Sequence, residues 1–400
     1  MLCNPVRLKA CGGMVILWVM RILDESRLEQ FARLRELARY ATADEATLLM
    51  RARDEAYAWC AGGVRAFGDS IDDLLGERDG SSVIPVCFRI DFDGTETFYW
   101  QPNWLIEARD ERLLYFGTVP HGEIGEDYDF DPDETEAIES ESHTLGQWTS
   151  AIQRIHAEIR AGRLNKAVLS RQMSLYNPQP WQIDHVLAKL LQHSTGTSVF
   201  AHQLYDNKVW IGASPEVLFQ REGRQLIVDS LAGTRQTLIE DNSFTDKDRV
   251  EQKVVTDFLC DTLAPLCSHV SVSPSSVRRA DDLEHVYNQV QGVLRDDVND
   301  DEILAALHPT PAVCGSPRDM AAQLLEELEP APRDLYSGVL GFSNGHQTTA
   351  IVALRCAQVQ SRTARLFGGA GIVLDSNPDL EYSECGWKME IMRRALTDLI

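Results

Sequence analysis

The chain has 400 residues, 44% of them hydrophobic, with 38 Lys and Arg against 61 Asp and Glu and a formal charge of -23. That apolar share can bury a large core, and the acidic surplus excludes nucleic acid, whose phosphates call for clustered positive charge. Nine cysteines (Cys3, Cys11, Cys60, Cys87, Cys260, Cys267, Cys314, Cys356, Cys385) are scattered, odd in number and free of any C-x-x-C pair. No disulfide framework and no zinc site is expected, and the thiols read as those of a reducing, cytoplasmic setting.

The first apolar run, Met14 to Met20, falls far short of the roughly 20 residues of a membrane span. No small-x-small cleavage site separates it from Arg21, Asp24 and Glu25, so neither a membrane anchor nor secretion is expected. Residues 24–60 are rich in Leu, Ala, Arg and Glu, and Leu28, Phe31, Leu34 and Leu37 recur at helical spacing. Val83 to Ile90 reads as a strand, with Pro85 suited to its edge or its first residues. Asp93-Gly94 marks a turn, beyond which Phe98-Tyr99-Trp100 returns as the second strand of a hairpin.

Between Glu123 and Glu141, ten of nineteen residues are acidic. With Gly125 and Pro132 interspersed, the stretch reads as a solvated loop, and its spacing does not match a D-x-[DN]-x-[DN]-G calcium loop. Trp148, Ile152, Ile155 and Ile159 then mark one face of a helix that Gly162 can close in the left-handed conformation. A buried strand is expected at Ala167 to Leu169. Others follow at Ser198–Leu204, Lys208–Ile211, Val217–Gln220, Gln225–Val228, Ile351–Ala357 and Arg365–Phe367. Strands and helices in this irregular order predict an α+β fold, with an N-terminal region over 1–145 and the candidate chemistry within 146–400.

Lys166 precedes Ala167-Val168-Leu169, an apolar setting that would desolvate its amine and lower its pKa; a lysine at a strand edge is the plainer alternative. Glu216 follows Ser214-Pro215, which would present a carboxyl at a strand entrance or in the first turn of a helix. Asn377 and Pro378 open a C-terminal helix that places Glu381, Glu384 and Lys388 on one face. Carboxylates one turn apart suit Mg²⁺, as does Glu251 on a helix whose Val250, Val254, Val255, Phe258 and Leu259 are expected to face the core. Gly368-Gly369-Ala370-Gly371 allows close approach of backbone N–H groups to an anion, or forms a tight turn. Arg355, in a strand-like apolar run, calls for a carboxylate partner from the protein or a ligand.

Together these segments resemble the chorismate-utilising enzymes, the family that includes isochorismate synthase, anthranilate synthase component I, aminodeoxychorismate synthase and salicylate synthase. The resemblance runs from about residue 147 to 400. It is carried in order by Asn165-Lys166-Ala167-Val168-Leu169-Ser170-Arg171, Gly212-Ala213-Ser214-Pro215-Glu216, Leu231-Ala232-Gly233-Thr234-Arg235 and Lys247-Asp248-Arg249-Val250-Glu251. His308-Pro309-Thr310-Pro311-Ala312-Val313-Cys314-Gly315, Gly369-Ala370-Gly371-Ile372-Val373 and Glu381-Tyr382-Ser383-Glu384 with Lys388 complete it.

The resemblance implies two face-to-face β-sheets with outer helices and a deep active site. It assigns Lys166 as the base that activates water and Glu216 as the acid for the departing hydroxyl. Glu251 and Glu384 would bind Mg²⁺, with Glu381 assisting. Gly233, Thr234, His308, Tyr336, Arg355, Gly369, Ala370, Gly371 and Lys388 would bind chorismate, a small dicarboxylate. Ala232 stands where the aminodeoxychorismate enzymes carry a lysine, and the His308 to Ala312 stretch is nearer to the water-using members. The implied reaction is therefore chorismate to isochorismate, with no amidotransferase subunit; salicylate synthase and a non-catalytic homologue are the alternatives. Gln252, Asn288, Cys385 and Gly386 depart from the family pattern, and the pathway served, menaquinone or siderophore synthesis among them, is not encoded in these motifs.

Overall fold

The computed structural model describes residues 47–75 except 52, 54–56 and 64, then 85–109, 112–117, 138–203, 208–237 and 244–397. The apolar run at 14–20, the helix expected over 24–46 and the acidic stretch 123–137 lie outside the described residues. In chain order the strands are β1 (Thr47–Arg51), β2 (Tyr57–Gly62), β3 (Ala66–Gly68), β4 (Val86–Ile90), β5 (Thr97–Gln101), β6 (Trp104–Arg109) and β7 (Arg112–Gly117). Next come β8 (Ile138–Glu141), β9 (Lys166–Tyr176), β10 (Ser198–Gln203), β11 (Val209–Ser214), β12 (Val217–Glu222), β13 (Gln225–Gln236) and β14 (Cys267–Val272). The last are β15 (Ser276–Ala280), β16 (Leu283–Leu294), β17 (Gly315–Ser316), β18 (Val339–Ser343), β19 (Gln347–Val352), β20 (Cys356–Gln360) and β21 (Thr363–Ile372).

They form two antiparallel sheets. One is ordered β17-β9-β21-β20-β11-β10-β1-β2-β6-β7, with β8 also on β9; the other β14-β16-β13-β12-β19-β18-β4-β5-β3, with β15 also on β16. Alternation of side chains along each strand gives each sheet two apolar faces. Met50, Phe200, Trp210 and Phe367 of the first sheet meet Trp100, Leu340, Phe342 and Ile351 of the second in one core. Val199, Ala201, Leu169 and Ile211 point the other way, onto the helices Leu145–Arg160, Ile183–His193, Arg318–Leu328 and Pro378–Thr397. The outer face of the second sheet is covered by Ile71–Leu75, Asp246–Leu263 and Asp300–Leu307. Each fully buried aliphatic or aromatic side chain in these layers contributes ~1.5–3 kcal/mol over exposure. The expected α+β fold with two packed sheets is what is found, and no described helix is long and apolar enough to cross a membrane.

Several local expectations are corrected. Within the stretch expected to be helical, Thr47–Arg51 and Tyr57–Gly62 are strands: β1 and β2 pair with each other and β1 with β10, because partners far along the chain override local helix propensity. β4 is interior to its sheet, between β5 and β18, and Pro85 simply precedes it. The acidic loop ends earlier than expected, since Ile138–Glu141 pairs with β9. Ile351–Ala357 is two strands, divided by Arg355, whose φ of 48° is incompatible with continuing β structure. Gly368–Gly371 is no turn; it lies within β21, paired along β9.

The Leu145–Arg160 helix is set by a capping box between Thr144 and Gln147 and closes at Gly162, whose φ is 69°. Trp148 Nε1 donates to the Pro378 carbonyl, and His156 Nε2 lies 2.9 Å from the Val373 carbonyl oxygen, fixing this helix against the start of the last one.

Candidate active site

Between the sheets, a cavity enclosing about 580 Å³ of empty space, mouth included, is reached by strands of both and by two helices. Of the expected site residues, Glu216, Gly233, Thr234, Glu251, Tyr336, Arg355, Gly369, Gly371 and Lys388 line it. They come from positions as distant as 216 and 388, so only the pairing of strands unites them.

Glu216 sits at the crossover from β11 in one sheet to β12 in the other, the strand-entrance alternative of its sequence reading. Ser214 Oγ stabilises this link, donating to the Val352 carbonyl and accepting from Glu216 N–H. The carboxyl is 3% exposed, and burial, reinforced by the negative charge of Asp229, pushes its pKa up to about 8. It is therefore mostly protonated at neutral pH, as a proton donor must be.

Lys166 opens β9 and is wholly buried, which excludes the reading as an exposed strand-edge lysine. Its Nζ lies 3.0 Å from Glu251 Oε1 in an ion pair that is not an aligned hydrogen bond. Burial pulls the amine's pKa down, while Glu251 opposes that shift. The side chain ends just behind the cavity wall: a Cβ on Gly371 would stand 2.9 Å from Lys166 Cε and 2.0 Å from Glu251 Oε1. Glycine at 371 is what lets Glu251 reach the wall and the Lys166 side chain pack directly behind it.

Glu251 is placed by the Asp246–Leu263 helix, which begins at a capping box between Thr245 and Asp248. A bulge in β13 at Gly233, φ 66°, admits that first turn, since a Cβ there would meet Asp248 Cβ at 2.9 Å. Val255 and Leu259 face the core as expected, whereas Val250 is 55% exposed, because the inward stripe passes through Glu251 and Gln252 instead. Burial works to raise the Glu251 pKa, but Lys166, Lys247 and Lys388 together hold it down to about 2.

Glu381 and Glu384 are buried on the last helix without lining the cavity. Lys247 Nζ lies 2.8 Å from Glu381 Oε1, and Lys388 Nζ 2.7 Å from Glu384 Oε1 and 2.8 Å from the Gly369 carbonyl oxygen. Burial and the neighbouring Glu384 raise Glu381 to about 7, and its Oε2 is buried without a hydrogen-bond partner. Among the described residues no three metal-binding side chains converge closely enough to form a ready-made site. Three buried carboxylates, one with an orphaned oxygen, nonetheless match the hard oxygen donors that Mg²⁺ requires.

Arg355 is buried at the turn between β19 and β20, and its Nη2 donates to His285 Nε2 at 2.8 Å. The expected carboxylate partner is thus a histidine in this structure. Burial first, then Arg355 and Lys388, drive the His285 pKa well below its usual value, so the ring is neutral. With Nε2 accepting, Nδ1 carries the proton and faces the Gly233 carbonyl at 3.2 Å. The guanidinium keeps donors for an anionic ligand. Tyr336 completes this wall, its ring stacked on Phe367 at 5.1 Å.

Two expected binding residues are elsewhere. Ala370 alternates with Gly369 and Gly371 along β21 and so faces the helices, in the outer core. His308 is not in the cavity wall; its Nε2 lies 3.3 Å from the Asp91 carbonyl oxygen, and burial lowers its pKa to about 4. Sequence reasoning missed His285 and Ser337 as wall residues. The period-2 pattern of β16 could have put His285 inside, whereas nothing local marks Ser337. The departures Gln252 and Asn288 prove to be partners: Gln252 Nε2 donates to Asn288 Oδ1 at 3.3 Å and to the Ser230 carbonyl at 2.8 Å.

The profile of the family described as "Chorismate binding enzyme" matches residues 122–397. Isochorismate synthase DhbC of Bacillus subtilis (strain 168) is 35% identical over 258 residues, covering 60% of this chain and 65% of that protein. Isochorismate synthase MenF of the same organism is 31% identical over 260 residues, covering 62% and 55%. The chain thus spans less than two thirds of the length of these curated relatives. Among solved structures, MenF of Escherichia coli, a menaquinone-specific isochorismate synthase, shares the fold at a TM-score of 0.80 and 22% identity, with 91% of each chain covered.

Proposed function

Because the chain belongs to the chorismate-binding enzymes, we propose that it is an isochorismate synthase, converting chorismate to isochorismate in the cavity between its two sheets. The observation that carries this reading is the opposed tuning of two buried groups at one cavity, an amine whose pKa is lowered and a carboxyl raised to about 8. Burial thereby shifts each group toward the protonation state its role requires.

In this reading Lys166, as the free amine, takes a proton from water as the water oxygen bonds to ring C2. The ring double bonds shift, the C4–O bond breaks, and Glu216 gives its proton to the departing hydroxyl, which leaves as water. One water enters and one leaves, so the net change is an isomerisation. Arg355, Tyr336 and the backbone of Gly369 and Gly371 hold one carboxylate of the substrate, Gly233 and Thr234 the other, and Lys388 adds positive charge. Ala232 offers no amine to compete with water. Mg²⁺ held by Glu251, Glu384 and Glu381 would supply neutralisation of the ring carboxylate. His308, outside the wall, and Ala370, turned to the helices, take no part.

The free thiols of Cys87, Cys260, Cys267, Cys314, Cys356 and Cys385 are consistent with a cytoplasmic enzyme. The test is incubation of purified protein with chorismate and Mg²⁺, with product analysis and a chelator control. Chelator-sensitive isochorismate formation is expected. Salicylate with pyruvate would replace the reading by one that adds elimination, and binding without turnover would refute it.

A further inference from the structure

Each of the three carboxylates of the metal-binding assignment already faces a lysine nitrogen without a metal. Glu251 faces Lys166 at 3.0 Å, Glu384 faces Lys388 at 2.7 Å, and Glu381 faces Lys247 at 2.8 Å. Lys166 and Lys388 have roles toward the substrate. Lys247 has none, and it alone of the three contacts carboxylates on both helices, its Nζ also lying 3.7 Å from Glu251 Oε2. Glu381 receives that ammonium on one oxygen only; the other is buried and unpartnered, an acceptor still lacking a cation.

We infer that Lys247 is the resident counter-ion of this carboxylate group, and that a divalent cation enters by displacing its ammonium from Glu381 and Glu251. This rests on the metal-binding reading above. The physical reason is that an ammonium and a divalent cation cannot share the same carboxylate oxygens without strong repulsion at short range and low dielectric. Without Lys247, Glu381 would lose the ammonium 2.8 Å away and Glu251 the one at 3.7 Å, so the lysine also stabilises the metal-free protein. Metal affinity is thereby held down by an internal competitor, and the cation is retained best when substrate supplies further oxygen ligands.

The experiment is Mn²⁺ binding, followed by electron paramagnetic resonance without substrate, to wild type, Lys247→Met and Lys247→Arg. Lys247→Met should bind Mn²⁺ about tenfold more tightly, melt at a lower temperature when metal-free, and be stabilised more by the metal. Lys247→Arg, keeping the charge, should not bind more tightly than wild type. Unchanged or weaker binding by Lys247→Met overturns the proposal, since Lys247 would then position the ligands rather than compete with the metal. In wild type, amine acylation read by mass spectrometry should modify Lys247 faster when Mg²⁺ is present; an unchanged or slower rate overturns it even if no variant folds. Wild type that turns over chorismate yet binds no Mn²⁺ refutes the metal assignment and this proposal together. Wild type that binds Mn²⁺ but leaves chorismate untouched refutes only the proposed reaction.

Discussion

Lys166 Nζ lies 3.0 Å from Glu251 Oε1, with the lysine entirely out of solvent and the glutamate nearly so. Burial pulls the pKa of this lysine down, and Glu251 opposes that shift. The same carboxylate reaches the cavity wall, so base and metal assignments are electrostatically coupled.

Removing the amine by Lys166→Ala is expected to lower kcat by about 10²- to 10⁴-fold, the usual contribution of a positioned base. It leaves Glu251 buried with Lys247 as its nearest cation and should cost about 3 kcal/mol of stability. Denaturant unfolding with turnover assays checks both. A variant of near-normal activity contradicts the role given to Lys166.

Glu216→Gln should lower kcat by a similar ~10²- to 10⁴-fold, since an amide cannot donate the proton. Its stability effect has a defined pH sign. The folded pKa of Glu216, about 8, lies above the unfolded value near 4.5, so the native state binds the extra proton between them. Wild-type stability contributed by this group is therefore full below about 4.5 and is lost as pH rises towards 8. Measured from pH 5 to 8, the melting temperature of Glu216→Gln should gain steadily on wild type; parallel curves would contradict the raised pKa.

The pH profile of kcat/KM for wild type should fall on the alkaline side with an apparent pKa near 8, as Glu216 ionises in the free enzyme. In Glu216→Asp that limb should shift. A limb that stays in place would assign it to another group.

Arg355→Lys keeps charge but loses the planar donor set and the bond to His285 Nε2. KM for chorismate should rise by about 10- to 100-fold, in line with a lost charge-assisted hydrogen bond. Steady-state kinetics separates this from a loss confined to kcat, which would argue against a binding role.

Gly371→Ala is expected to disturb the carboxylate group behind the cavity wall, because its Cβ would fall 2.0 Å from Glu251 Oε1. Both Mn²⁺ affinity and kcat should fall. Gly146→Ala, with nothing within 4 Å of the added carbon, serves as the control and should behave as wild type.

Much of this protein was legible from local pattern. Helical spacing at Trp148, Ile152 and Ile155, the turn at Asp93-Gly94, the Gly162 cap and the one-turn spacing of Glu381, Glu384 and Lys388 depend on contacts a few residues apart, which sequence records directly. Ordered motifs also marked Lys166, Glu216 and Glu251. Tertiary structure alone decided the rest. Strand pairing over long separations made strands of residues 47–51 and 57–62 and drew the glycines of 368–371 into β21. The pleat turned Ala370 away from the cavity and left Gly371 facing it. That Lys247 meets Glu381 and Lys166 meets Glu251, and that His285 rather than an acid takes Arg355, follow from the approach of segments more than 50 residues apart. Burial, charge pairing and the pKa shifts they cause arise only once those segments meet, because each depends on the solvent that the fold removes.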